Sequence, residues 1–132
     1  MFSIDHIGVA VKSLAAAKAI YEKLGLRVSP EELVEAEQVR VVMVPVGESR
    51  LELLEPTSEN SVIAKFIAKR GEGLHHICFR VSDIDAVMAT MVAAGVRFID
   101  AQPRQGAHGS RIAFIHPSSA GGLLIELKQA AH

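Results

Sequence analysis

Two stretches of this chain are versions of one pattern. Residues 4–28, "IDHIGVAVKSLAAAKAIYEKLGLRV", align without a gap on residues 74–98, "LHHICFRVSDIDAVMATMVAAGVRF", at a constant offset of 70. His6 falls on His76, Val11 on Val81, Leu14 on Ile84 and Gly25 on Gly95. Further on, "RVVMVPVGESRLELLEP" (40–56) corresponds to "RIAFIHPSSAGGLLIEL" (111–127) once the second copy takes a few extra residues in its hairpin loop, and Glu52 then falls on Glu126. Such a repeat restricts the fold to two copies of one supersecondary unit.

Each copy reads as strand, helix, then further strands. Alternation in "IDHIGVAV" sends Ile7, Val9 and Val11 to one face and Ile4, His6, Gly8 and Ala10 to the other, the period of a half-buried strand. Ser13 is placed to cap a helix in which Leu14, Ala17, Tyr21 and Leu24 recur at helical spacing, and Gly25 suits the left-handed position that ends it. The second copy repeats this with Ser82 or Asp83 as cap, Ile84, Val87, Met88 and Met91 as the stripe and Gly95 as the stop. Between the copies, "NSVIAKFIAKRGEG" places Ile63, Phe66 and Ile67 on one side of a connecting helix with a Gly-rich exit. Its Lys65, Lys69 and Arg70 read as a solvated face. One domain over 1–132 is expected, with module one at about 3–56, the connecting helix at about 57–72 and module two at about 73–129.

Composition narrows the function classes. Fourteen Lys and Arg against fifteen Asp and Glu give a net charge of −1, which offers no footprint for nucleic acid or an anionic membrane surface. Small molecules are the expected partners. One cysteine, Cys78, excludes an intramolecular disulfide, and the start of the chain lacks the basic and apolar segments of a signal peptide. No apolar run approaches the ~18 residues that span a bilayer. The cytoplasm is the default expectation.

The same alternation sorts the ionisable residues. Ile77, Phe79 and Val81 take the helix-packed face of "LHHICFRV", leaving His76 with Cys78 on the other, while His75 points away from His76 in a structural hydrogen-bonding role. Leu51 and Leu53 leave Glu52 opposite, and Leu123, Ile125 and Leu127 leave Glu126 opposite. Four strands, two per copy, thus each carry one potential ligand on the face expected not to meet the helices. Exposed polar residues on one-sided strands are commonplace. Solvent exposure, however, gives no reason for His6 to match His76 and Glu52 to match Glu126, whereas a pseudo-twofold site does. Imidazole with carboxylate suits a borderline divalent ion, and two His with two Glu leave positions open for water or substrate oxygens. Cys78 reads as small core filler.

The segments "DHIGVAV", "LELLEP", "GLHHICFRV", "GAHGSRIAFIHP" and "GGLLIEL", in that order, resemble those of methylmalonyl-CoA epimerases in the vicinal oxygen chelate superfamily, with glyoxalase I and extradiol dioxygenases as more distant kin. The resemblance covers residues 4–128. It implies an α+β fold of two tandem βαβββ modules forming a U-shaped mixed sheet around a divalent metal. It also implies that the metal is often cobalt, with Mn2+, Ni2+ or Zn2+ as alternatives, and that the protein is a homodimer. The implied ligands are His6, Glu52, His76 and Glu126. The implied reaction interconverts (2R)- and (2S)-methylmalonyl-CoA by abstraction of the α-proton through a metal-chelated enolate, with Glu126 as one base. Some relatives supply the opposite base from the strand that here reads "VRVVMVP", where Val41, Val42 and Met43 offer no proton acceptor. Glu37, Glu48, Glu52 or a relayed water are the remaining candidates. Ser110 and Arg111 are expected to meet the thioester or CoA phosphates. Glyoxalase I chemistry, or metal-free binding of a small ligand on the same fold, are the rival readings.

Overall fold

A computed structural model describes residues 2–131. The chain groups into two compact units that do not coincide with the repeats: one runs His6–His75, and the other joins the residues up to Asp5 with the chain from His76 onward. Eight strands and three α-helices lie among the described residues.

In the His6–His75 unit, the chain passes through β1 (Ser3–Ala10), α1 (Leu14–Lys23), β2 (Glu32–Val34), β3 (Val39–Val46), β4 (Ser49–Pro56) and α2 (Val62–Arg70), with the first residues of β1 counted in the other unit. The strand order is β2-β3-β4-β1. β3 is antiparallel to β2 and β4, and β1 is parallel to β4. The parallel pair is possible because α1 makes the crossover. Ser13 caps α1 as its side chain accepts from the Ala16 N–H at 3.2 Å, and the Leu14 N–H donates to Glu55 Oε1 at 3.0 Å. α1 packs Leu14 against Val11, Val42, Val44 and Leu53, with Ala17 and Tyr21 at the margin. The expected stripe stops there. Leu24 is the C-cap and exposed, and Gly25 at φ +89° ends the helix, with Leu26 and Val28 returning to the same core.

One expectation fails in this unit. The face of β1 and β4 opposite α1 was expected to meet no helix, yet α2 covers part of it. Ile63, with Phe66 and Ile67 beside it, packs on Ala10, Val39, Val41 and Leu54. Alternation assigns residues to a face without saying what covers that face, and Ala10 and Leu54 are the apolar members that α2 buries.

The second unit repeats the plan with β5 (Gly73–Arg80, its first three residues counted in the His6–His75 unit), α3 (Ile84–Ala93), β6 (Arg104–Gln105), β7 (Arg111–Ile115) and β8 (Leu124–Gln129). β5 is parallel to β8, and β7 is antiparallel to β8 and β6. The Asp83 side chain accepts from the Ala86 N–H, so Asp83 is the cap, and Gly95 at φ +92° matches Gly25. The Ile84 N–H donates to Gln129 Oε1 at 2.9 Å, as the Leu14 N–H does to Glu55. The core is Val81, Ile84, Met88, Ala113 and Leu127, with Phe79, Val87, Met91 and Phe98 packed around it. The duplication therefore extends to the side-chain hydrogen bond that starts each helix. No helix among the described residues is long and apolar enough to cross a membrane.

Candidate metal centre

Each unit builds one imidazole and carboxylate pair, and strand register sets both in the same way. In the first, Gly8 of β1 lies opposite Glu52 of β4, and His6 is two residues before Gly8 on the same face. In the second, Cys78 of β5 lies opposite Glu126 of β8, and His76 is two residues before Cys78. In both, the imidazole is the diagonal neighbour of the glutamate on adjacent parallel strands, a spacing long side chains bridge. His6 is buried, with Nε2 3.6 Å from Glu52 Oε2. Arg50 Nη2 lies 3.4 Å from the same oxygen, so Glu52 sits between an imidazole and a guanidinium. His76 and Glu126 are half-buried, and Cys78 is fully buried and in no disulfide. Beside β4, Met43 of β3 faces Glu52 across the antiparallel pair, and beside β8, Phe114 of β7 faces Glu126. The carboxylates thus have apolar neighbours on the far side.

His75, expected in a structural hydrogen-bonding role, makes an aromatic contact. Its ring meets the edge of Phe66 at 4.9 Å and 86°, and burial pushes the imidazole below its ordinary range. Glu37 and Glu48 are exposed, one in the 3-10 turn before β3 and the other in the turn between β3 and β4.

Ser110 and Arg111 part company. Register puts Arg111 with Ala113 on the face that α3 covers, and its guanidinium holds Asp85 with two bonds of 2.6 and 3.0 Å. That pairing keeps the Asp85 carboxyl below, and the Arg111 guanidinium above, its usual range. Ser110 is 2 % exposed, and among the described residues its hydroxyl has no hydrogen-bond partner. A Cβ on Gly106 would lie 2.7 Å from that oxygen.

Three residues escaped the sequence reading. Asp5 is 2 % exposed, accepting from Arg80 Nη2 at 2.6 Å and Nε at 3.2 Å, with Lys128 Nζ at 3.5 Å. The available signal was Asp5 itself, a carboxylate that shares the parity of Ile7, Val9 and Val11.

Paired βαβββ units carrying one His and one Glu each define a family, and sequence comparison agrees. The family model of the Glyoxalase/Bleomycin resistance protein/Dioxygenase superfamily matches residues 5–114, and the chain belongs to that superfamily. Within it, the relatives are narrower in kind. The Cereibacter sphaeroides ethylmalonyl-CoA/methylmalonyl-CoA epimerase is 37% identical over 129 residues, covering 96% of each chain. The methylmalonyl-CoA epimerase of Mycobacterium tuberculosis has a solved structure that superposes with a TM-score of 0.82 at 40% identity, covering 98% of this chain and 88% of that one. A methylmalonyl-CoA epimerase solved in complex with methylmalonyl-CoA and NH4+ gives a TM-score of 0.81 at 43% identity, covering 97% and 94%.

Proposed function

We propose that this chain interconverts (2R)- and (2S)-methylmalonyl-CoA by moving the α-proton, at a centre where His6, Glu52, His76 and Glu126 hold one divalent cation. His6, His76 and Glu126 form the core of the set, with Glu52 as the fourth ligand. The observation that carries this reading is the matching register: Gly8 opposite Glu52 and Cys78 opposite Glu126, each with its histidine two residues earlier. Two unrelated surface pairs have no reason to share it. The donor chemistry fits a hard-to-borderline ion with room for substrate oxygens, Co2+ being the first choice and Mn2+, Ni2+ or Zn2+ the alternatives. A bound ion would place positive charge beside the oxygen on which negative charge develops as the α-proton leaves.

The residues of the chain supply the proton traffic. Glu126 accepts the proton on one face of the substrate. On the other face, β3 offers Met43 where a carboxylate would be needed. Glu52, held by Arg50 and His6, is the carboxylate on the ligand face, while Glu37 and Glu48 are exposed at the two ends of β3. Glu52 is therefore the first candidate for the second acceptor. Ser110 offers the thioester end a hydroxyl that has no hydrogen-bond partner among the described residues, whereas Arg111 reaches a CoA phosphate only by releasing Asp85. The proposal includes a cytoplasmic location and a homodimer, and light scattering on the purified protein tests the dimer.

The deciding experiment follows solvent deuterium into methylmalonyl-CoA with Co2+-loaded wild type and Glu126→Gln, with metal content assayed on both. Loss of a general base lowers exchange by about 10²–10⁴-fold. Equal exchange removes Glu126 from the reaction. Formation of S-lactoylglutathione from the hemithioacetal, with no deuterium entering methylmalonyl-CoA, replaces the epimerase by glyoxalase chemistry.

A further inference from the structure

We infer that Asp5 is a positioning residue for the metal ligands, acting through the ion triad it forms with Arg80 and Lys128; the inference rests on the reading of the site given above. Asp5 immediately precedes His6 on β1, Arg80 follows His76 by four residues on β5, and Lys128 follows Glu126 by two on β8. Each strand that carries a core ligand thus supplies one member. Asp5 is 2 % exposed, while the Arg80 and Lys128 side chains remain 37% and 22% exposed, so the carboxylate is the desolvated partner. Taking a carboxylate out of water costs much of what its ion pairs return, and such clusters are better suited to fixing register than to adding stability. Register is what a ligand strand needs, because a slip of one residue in β1 would send His6 to the opposite face.

The internal repeat supplies the comparison. Asp5, Arg80 and Lys128 correspond to His75, Ala10 and Leu54 in the other half of the duplication. There the place is closed by packing: Ala10 and Leu54 lie under α2 beside Ile63, and the His75 ring meets Phe66. One copy secures the strands beside its ligands with a helix, and the other does so with charges. Ordinary surface pairing does not explain why three charges replace three helix-covered residues at matched positions.

The test measures Co2+ affinity by visible absorption, and amide hydrogen exchange at His6 and Ile7 in the metal-free protein. The variants are Asp5→Ala, Lys128→Met and the control Asp85→Ala, which breaks an arginine pair of similar geometry at the surface. Outer partners of ligands typically contribute about 10–100-fold in metal affinity. Asp5→Ala is expected to weaken Co2+ binding at least tenfold by that measure and to speed exchange at His6, with Asp85→Ala within about twofold of wild type. Lys128→Met separates positioning from simple charge. It removes a positive charge, so electrostatics alone would tighten cation binding, whereas loss of positioning weakens it. Tighter or unchanged binding in Lys128→Met, or wild-type affinity in Asp5→Ala, overturns the proposal. If Asp5→Ala does not fold, Lys128→Met decides. If wild type binds no Co2+, the functional reading fails, and exchange at His6 then judges Asp5: faster in the variants supports its role, and unchanged exchange refutes it.

Discussion

Ser110→Ala should stabilise this protein while impairing it. The hydroxyl is buried, and no described group accepts from it or donates to it. Leaving a polar group unpaired in the interior costs about 1–3 kcal/mol, and removing it recovers that term less the contacts of one heavy atom. The expected net gain is about 0.5–2 kcal/mol. Urea unfolding of the metal-free protein reads it as a raised midpoint with an unchanged slope. Gly106 provides an internal check. A Cβ there would approach Ser110 Oγ at 2.7 Å and Ile112 Cγ2 at 2.9 Å. Overpacking of this kind costs about 1–3 kcal/mol, and Gly106→Ala should cost less in the Ser110→Ala background, where one of the two close approaches is gone. A lowered midpoint for Ser110→Ala, or strictly additive effects in the double mutant, would refute the orphaned hydroxyl. If the hydroxyl serves substrate, Ser110→Ala also lowers kcat/KM about tenfold, the equivalent of one hydrogen bond of about 1.4 kcal/mol. Stability and activity moving in opposite directions is the signature to look for.

Truncating either matched helix anchor, Leu14→Ala or Ile84→Ala, should cost about 2–5 kcal/mol in urea unfolding, since both side chains are fully buried in their cores. A loss below 1 kcal/mol on the same scale at both would mean the cores collapse onto the gap. The Asp85–Arg111 pair gives a pH test: a carboxyl depressed in the folded state adds stability above its unfolded value and loses it as pH falls through the folded one. Asp85→Asn should therefore lower stability slightly at neutral pH, converge with wild type at the acid end and so flatten the profile below pH 3.8, and an unaltered acid limb speaks against the pair. Chelation should lower the melting temperature of the metal-loaded protein, because an ion held at 100 times its Kd adds about 2.7 kcal/mol; an unchanged transition denies a tightly bound ion.

Much of the fold was legible because period-2 alternation and helical spacing are local. Ser13 and Gly25 bracket α1, Asp83 and Gly95 bracket α3, and the apolar parity of each strand faces its helix. The histidine and glutamate pairs were legible for a different reason: duplication turned two weak signals into one correlated signal, and the register of Glu52 and Glu126 follows it. What escaped was everything set by contacts between distant segments. Nothing in the spacing of Ile63, Phe66 and Ile67 says that α2 covers Ala10 and Leu54. Nor does "GSRIAFI" say which of its two alternating faces meets α3 until the pairing of Ala113 with Leu127 fixes it. Asp5 marks the same boundary most clearly. A lone carboxylate of apolar parity can be noticed in a sequence, but its meaning depends on Arg80 and Lys128, residues 75 and 123 positions away that only the folded sheet brings to it. The departures from repeat symmetry are thus the long-range contacts, and they are where the two copies, built alike, have been given different work.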